Sequence, residues 1–131
     1  MTLSFNHHGR PTVEDINPVP ADLDGQVAVL NFHGKSLAEA EALFREASII
    51  YQEDLMFMGV RAFRFYVQAA ISYIQSDAAA GDSDMINCFG GILERRLEFE
   101  AEELVAVAPQ LASICRDILE RYDRFVIAPE V

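Results

Sequence analysis

The sequence predicts an all-α fold, a single compact bundle of four to five helices with an irregular N-terminal arm that holds at most one short strand. First, apolar residues after residue 36 recur every three or four positions, which is the spacing of one helix face. Second, 131 residues make one ordinary domain, which can bury about two-thirds of its unfolded surface. Third, a hydrophobic content of 51% is too high for a disordered chain.

The N-terminal arm is predicted over residues 1–35. Pro11, Pro18 and Pro20 interrupt any helix or central strand. Residues 26–32, QVAVLNF, have strand-like composition. Because one isolated strand is unstable, this segment must pair within the arm, pair with another chain or pack as extended chain. The helical domain is predicted over residues 36–127 and a free tail over residues 128–131.

The first helix of the domain is predicted from a capping box. Ser36 and Glu39 have the required spacing, because the serine oxygen can accept a first-turn amide while the glutamate reaches back. The helix then runs from Leu37 to about Ser48. Residues 49–57 either continue it or form a separate turn, since Gly59 favours a break.

The segment from Val60 to Gln75 is the predicted centre of the fold. At about 100° per residue, its polar side chains fall in one narrow stripe and all others are apolar or small. A helix that is apolar over most of its circumference is buried against several neighbours. The polar stripe consists of Arg61, Arg64, Gln68, Ser72 and Gln75.

The next helix is predicted over residues 84–99, with Gly81 ending the preceding element and Asp82 or Ser83 as its cap. The pair Gly90-Gly91 is unusual inside a helix, where each glycine costs about 1 kcal/mol relative to alanine. Either the close approach of another backbone or a kink would explain the pair.

The C-terminal part is predicted as a short helix over residues 102–107 and a longer helix over residues 110–125, with Pro109 in its first turn. Cys88 and Cys115 lie among apolar residues, so we interpret both as small core residues without a disulfide.

The net charge of −11 narrows the classes of partner. An acidic surface repels phosphate backbones and anionic lipid headgroups, so neither nucleic acid nor membrane is an expected partner. A cationic protein is favoured instead, because opposite charge speeds encounter. The alternative is that acidity only keeps the protein soluble. Residues 1–11 lack the pattern of a signal peptide, and apolar runs are far below the ~18 residues of a membrane span, so we expect a cytoplasmic protein.

No pattern for a metal, a cofactor or catalysis is found in the sequence. His7, His8 and His33 all precede the predicted bundle and are poorly placed for one ion. A calcium loop starting at Asp82 would require glycine where Asn87 stands. We therefore predict a protein that is not an enzyme and needs no cofactor.

Two sets of charged residues are the candidates for ligand or partner contact. Arg61, Arg64 and Gln68 lie on an otherwise apolar helix, where arginine must meet an acid, a carbonyl or a partner. They could equally reach solvent or pair with nearby acids. The second set is the densest acidic cluster of the chain and comprises Glu98, Glu100, Glu102 and Glu103.

The segment DLMFMGVRAFRFYVQAAISYI followed by SDAAAGDSD resembles small bacterial all-helical proteins with a Phe-x-x-Tyr-x-x-Ala helix core and an acidic linker. Phe63, Tyr66 and Ala69 would be the core residues here, and the resemblance covers roughly residues 37–125. It implies a helical fold and no particular activity. Some similar small acidic bacterial proteins neutralise toxins of neighbouring cells.

The leading functional hypothesis is a non-enzymatic protein–protein interaction module of immunity or adaptor type. A second is a small domain or minor enzyme that binds an anionic ligand through Arg61 and Arg64. A third is a structural homo-oligomer, such as a homodimer, with QVAVLNF or Gly90-Gly91 at the contact.

Overall fold

The structure is a computed structural model that describes residues 9–126. Within this range the chain is helical and forms no strand or sheet, which confirms the predicted all-α fold. Five of the described helices have ten residues or more, and short helices precede and follow them. The α-helices are α1 (Val13–Ile16), α2 (Leu23–Phe32), α3 (Leu37–Phe57), α4 (Val60–Gln75), α5 (Ser83–Glu100), α6 (Ala108–Glu120) and α7 (Tyr122–Val126), with 3-10 turns at Asp77–Ala79 and Glu102–Val107.

Helix α4 lies at the centre of the fold, with the bounds that the sequence predicts. It packs against α1, α3, α6 and both 3-10 turns, and nine of its 16 residues are buried. Phe63 and Tyr66 are fully buried, whereas Arg61, Ser72 and Gln75 are exposed along the polar stripe. Burial on most sides follows from the near absence of polar side chains outside that stripe.

The predicted strand over residues 26–32 is wrong, because these residues belong to helix α2. Asp22 caps the helix by accepting a hydrogen bond from the Gly25 amide, and residues 25, 28 and 32 are buried at helical spacing. Gly25 packs so closely on Asn17 that a Cβ would lie 2.0 Å from the Asn17 Oδ1 atom. Tertiary packing therefore overrides the preference of valine for strands.

The end of α2 is held by polar contacts as well as by the buried ring of Phe32. The single proton of the Tyr66 hydroxyl is shared between the carbonyl oxygens of Phe32, at 2.8 Å, and Lys35, at 2.9 Å. Asn31 Nδ2 donates to Asp54 Oδ2 at 2.7 Å, and burial raises the pKa of this carboxyl. The described part of the predicted extended arm is thus largely helical, and it shares the core of the bundle.

Helix α3 continues through residues 49–57, which is the first of the two predicted alternatives. Its helical geometry is broken at Ala47 (φ −157°, ψ 70°). The predicted capping box is confirmed, since Glu39 N donates to Ser36 Oγ and Ser36 N donates to Glu39 Oε1. Gly59 separates α3 from α4 and serves as the N-cap of α4. A Cβ on Gly59 would lie 2.4 Å from the Asp15 carbonyl oxygen, so α1 packs tightly on this corner.

The start of α5 is fixed by Asp82, one of the two predicted caps. Its carboxylate accepts hydrogen bonds from the Met85 amide, the Ser48 hydroxyl and the Tyr73 hydroxyl, so one side chain joins α3, α4 and α5. Gly81 adopts a positive φ of 83°, the left-handed conformation that glycine favours.

The C-terminal helices begin as predicted, with a 3-10 turn at Glu102–Val107 and Pro109 in the first turn of α6. The predicted longer helix is divided at Arg121, where α6 ends and α7 follows. Arg124 of α7 donates hydrogen bonds to the carbonyl oxygens of Ile74 and Ser76 at the end of α4. This contact fastens the last helix to the central one.

The prediction that both cysteines lie in the core is wrong, and the described residues show neither of the two causes considered for the glycine pair. Cys115 is exposed rather than buried and Cys88 is half-buried; both thiols are free. Gly90 and Gly91 are exposed in an unbroken helix, and no described atom lies within 4 Å of a Cβ built on either residue. Neither the close approach of a backbone within this chain nor a kink therefore explains the glycine pair.

In the part of the chain described here, no helix is both long enough and apolar enough to cross a membrane.

Candidate functional site

The most distinctive surface feature is a cleft between the second half of α3 and the length of α5. Two hollows of about 310 Å³ and 320 Å³ share Met56, Ile92 and Arg95 and form one continuous groove, here called the α3–α5 cleft. Hollows of this size lie at the lower end of the range for ligand sites. The remaining lining residues are Gln52, Phe57, Met58, Cys88, Gly91, Arg96, Phe99 and Glu100.

The wall of the cleft on α5 is one stripe of the helix. Residues 88, 91, 95 and 99 follow each other at spacings of three or four, so they face the same side. Gly91 leaves the middle of this wall without a side chain, and the space beyond it is open. A larger residue at position 91 would therefore project into open space at the cleft.

The floor of the cleft is Arg96, which is only 8% exposed. Its guanidinium donates to the carbonyl oxygens of Leu55, Met56 and Met58 at the end of α3. It also pairs with Glu100 at 2.9 Å and lies 4.4 Å from the centre of the Phe63 ring. Because helix carbonyls at a C-terminus lack partners, a buried cation is favourable here. Arg96 thus ties α3, α4 and α5 together, with both terminal nitrogens of its guanidinium donating to protein groups.

The rim of the cleft is aromatic and exposed. Phe99 is 70% exposed and Phe57 is 44% exposed. The Arg95 guanidinium lies 5.8 Å above the Phe99 ring, and among residues 9–126 no carboxylate forms an ion pair with it. Exposed aromatic rings beside an unpaired arginine are typical of protein-contact surfaces.

Gln52 gives the cleft a buried polar group with unused hydrogen-bonding capacity. This side chain is 5% exposed and lines the cleft, and its Nε2 donates to the Ile49 carbonyl oxygen at 3.2 Å. Its Oε1 has no hydrogen-bond partner in the described part of the chain. Since such a buried acceptor is costly to leave unpaired, it is suited to receive a donor from outside.

The cleft does not have the electrostatics of a nucleophilic site. Burial raises the pKa of the Cys88 thiol, and the nearby carboxylates of Asp84, Asp82 and Glu53 raise it further. The thiol is therefore protonated at neutral pH, and a thiol rather than a thiolate is a poor nucleophile. Within residues 9–126, no group of three or more His, Cys, Asp or Glu side chains could hold a metal ion. The predicted histidine pair His7-His8 lies outside the described residues.

The sequence-predicted arginine stripe lies away from this cleft. Arg61 Nε is 3.7 Å from Asp15 Oδ1, and Arg64 Nη1 donates to the Glu103 carbonyl oxygen at 3.0 Å. The Gln68 amide donates to carbonyl oxygens of its own helix. None of the three lines the α3–α5 cleft.

The sequence-predicted acidic cluster is divided by the structure. Glu98, Glu102 and Glu103 are exposed, whereas Glu100 lines the cleft and pairs with Arg96. Sequence reasoning missed Gln52, Arg95, Arg96 and Phe99 as site residues. The signal that pointed to them was the glycine pair, whose cost in a helix required an explanation.

Comparisons with protein-family models, with curated proteins and with solved structures found no match for this chain.

Proposed function

We propose that this protein is a cytoplasmic, non-enzymatic interaction module of adaptor or immunity type that holds a basic amphipathic segment of a partner protein in the α3–α5 cleft. The observation that carries the proposal is an open cleft in which apolar side chains lie beside Arg95, Arg96 and Glu100, with an exposed aromatic rim and a gap over Gly91. Two free thiols are consistent with a reducing compartment.

The shape of the cleft supports binding of a helix. Recognition of this type places the apolar face of an amphipathic helix in a groove, with anchors about one turn apart. The lining of Met56, Met58 and Ile92 suits apolar anchors, and methionine adapts its shape to different side chains. The absent side chain at Gly91 lets the backbone of such a helix approach α5 closely.

The carboxylates that surround the cleft support a basic partner, whose lysines would lie outside the central stretch that Arg95 occupies. Glu53 and Asp84 lie close enough to Cys88 to raise its pKa, so they place negative charge at one end. Exposed Glu94 and Glu98 follow on α5 towards the other end. With a net charge of −11 on the whole chain, lysines flanking the apolar anchors would be attracted from a distance.

The anion-binding alternative at Arg61 and Arg64 has less support. Asp15 already lies beside Arg61, and Arg64 already donates to the Glu103 carbonyl. Neither side chain lines one of the hollows described above. An anion would have to compete with these contacts at an open surface.

The test compares Gly91→Leu with Gly90→Leu. Both glycines are exposed in the same helix with open space beyond them, but only Gly91 lines the cleft. The probe is a fluorescent 18-residue peptide of leucine and lysine at helical spacing, and its anisotropy reports binding. Wild type and Gly90→Leu should bind it, with affinity falling as salt rises. Gly91→Leu should weaken binding at least tenfold, because its side chain occupies the cleft.

Equal affinity of the three proteins for the peptide would overturn the proposal. If an acidic peptide, in which glutamate replaces every lysine, binds equally well, the proposal that the partner segment is basic is wrong. Once the peptide distinguishes the two variants, Gly91→Leu and Gly90→Leu are each used for affinity capture at low salt. The natural partner is then the protein that Gly90→Leu captures and Gly91→Leu does not.

A further inference from the structure

Helix α2 presents an apolar face to solvent in addition to its buried one. Leu23 is 73% exposed, Val27 is 49% exposed and Leu30 is 82% exposed. Their spacing of four and three residues aligns them along one side, here called the α2 ridge. The opposite side holds Ala28 and Phe32 in the core. A helix that is apolar on both sides is expected to have neighbours on both.

A hollow of about 380 Å³ lies next to the α2 ridge. Around the circumference of α2, Gln26 and then Val29 lie next to the side that carries Leu23 and Leu30. Both Gln26 and Val29 line this hollow. Val13, Glu14, Asn17 and Pro20 complete its lining. A protruding apolar ridge and an apolar recess therefore stand side by side on the same surface.

The charges at the two ends of α2 have opposite signs. Asp22 and Asp24 lie at its start, whereas Lys35 follows its end and Arg10 donates a hydrogen bond to the Gly34 carbonyl oxygen there. The ridge itself contains no charged residue. Two α2 helices side by side in antiparallel orientation would place the acidic start of each near the basic end of the other, with opposed helix dipoles.

We propose that the α2 ridge is the interface of a homodimer with twofold symmetry, in which α2 packs antiparallel on α2 of a second copy. Such a contact is self-complementary. The α2 ridge of each copy therefore packs at the hollow beside the α2 ridge of the other copy. Leu23 then faces Leu30 of the second copy, and Val27 lies beside the twofold axis. The ten residues of α2 span about 15 Å, long enough for both pairs.

A second copy fits this surface better than a basic partner. The ridge is neutral, so it offers no attraction to a cation, whereas two copies bring together the ridge, the recess and both charged ends. A stable interface buries roughly 800 Å² from each partner. The exposed residue Val13, which lines the same hollow as Val29, extends the apolar surface toward that size.

The first test is the oligomeric state of Leu30→Glu against that of Leu119→Glu. Both leucines are highly exposed, at 82% and 75%, so neither change should disturb the fold, which circular dichroism checks. Sedimentation equilibrium from about 1 µM to 1 mM should show a dimer for wild type and for Leu119→Glu. Leu30→Glu should raise the dissociation constant at least a hundredfold, since the lost contact occurs twice in a symmetric dimer.

The second test uses the position of the twofold axis. In a background with Cys88→Ser and Cys115→Ser, Val27→Cys should form a covalent dimer on mild oxidation, because equivalent atoms meet at the axis. Leu23→Cys alone should not, whereas a mixture of Leu23→Cys and Leu30→Cys should link the two different chains. A wild-type monomer at 1 mM overturns the proposal. So does a dimer that Leu30→Glu leaves intact, or one that Leu119→Glu breaks equally.

Discussion

Helices α4 and α5 differ in how much of their surface the rest of the bundle covers. Each carries two arginines and several aromatic or aliphatic side chains. In α4 the aromatic residue Phe63 is fully buried and the arginines lie at the surface beside Asp15 and the Glu103 carbonyl. In α5 the arrangement is mixed: Phe89 is buried and Arg95 is exposed, as in α4, but Arg96 is buried and Phe99 is 70% exposed.

The difference teaches that the type of residue does not locate a contact surface in this bundle. Helix α4 has neighbours on most sides, so its aromatic rings are used in packing. Helix α5 leaves one side open along Gly91 and Phe99, and the Phe99 ring stays exposed with the Arg95 guanidinium 5.8 Å from its centre. The functional surface is therefore sought where apolar groups remain exposed rather than where they are concentrated.

The largest expected effect comes from truncating one phenylalanine on each helix. Phe63→Ala should lower the free energy of unfolding by about 3–5 kcal/mol, because a fully buried ring leaves a cavity. Phe99→Ala should change it by less than about 0.5 kcal/mol, as is usual for exposed positions. Equilibrium urea unfolding measures both. Comparable losses for the two would contradict the contrast between a packed helix and an open one.

A smaller effect is expected for the adjacent arginines. Arg96→Met should lower the free energy of unfolding by about 3 kcal/mol, since three carbonyl oxygens and Glu100 lose their buried donor. Arg95→Met is the matched control and should leave stability nearly unchanged, because Arg95 is exposed. If both variants unfold at the same urea concentration, Arg96 does not fasten the three helices.

Alkaline pH should lower the free energy of unfolding through the buried tyrosine of the central helix. Burial raises the pKa of Tyr66 to about 12, whereas an unfolded tyrosine titrates near about 10. The stability linked to this raised pKa is fully present below pH ~10 and is lost as pH rises towards ~12, by about 2 kcal/mol. Urea unfolding between pH 9 and 12 measures the slope. Tyr66→Phe should make it shallower, with the remainder due to Tyr73, whose pKa burial also raises to about 12.

The smallest expected effect is a gain in stability at the open side of α5. Gly90→Ala and Gly91→Ala should each raise the free energy of unfolding by up to about 1 kcal/mol, because alanine favours the helix and meets open space. Gly59→Ala should instead be destabilising, since its Cβ would clash with the Asp15 carbonyl oxygen. Thermal unfolding followed by circular dichroism distinguishes them. A loss of stability at Gly91 would mean that the cleft is narrower than described.

Local sequence signals predicted much of the fold. The Ser36 capping box, the Asp82 cap and both ends of α4 depend on neighbouring residues, so they could be read from the chain. Helix α2 could not, because its valines favour a strand and the contact that decides is between Gly25 and Asn17, eight residues apart. That contact is tertiary, and composition carries no record of it.

The candidate site was predicted less well than the fold. Arg96 lies in the helix that the sequence predicts over residues 84–99, but its carbonyl partners at the end of α3 lie 38 to 41 residues away in sequence. Only the assembled bundle brings them together. The cleft itself depends on the missing side chain at Gly91, and a sequence shows that a glycine is present without showing what space it leaves.

Arg96 of α5 and Arg124 of α7, which bind carbonyl oxygens at the ends of α3 and α4, have a practical consequence for handling the protein. Arg96 and Arg124 bind carbonyl oxygens, and neither a guanidinium nor a carbonyl titrates in mild acid. Acid instead neutralises surface carboxylates and brings the net charge to zero near the isoelectric point of about 4.5. Proteins without net charge precipitate readily. Turbidity near this pH should therefore reflect folded molecules coming out of solution, and they should redissolve with native structure when neutral buffer is restored.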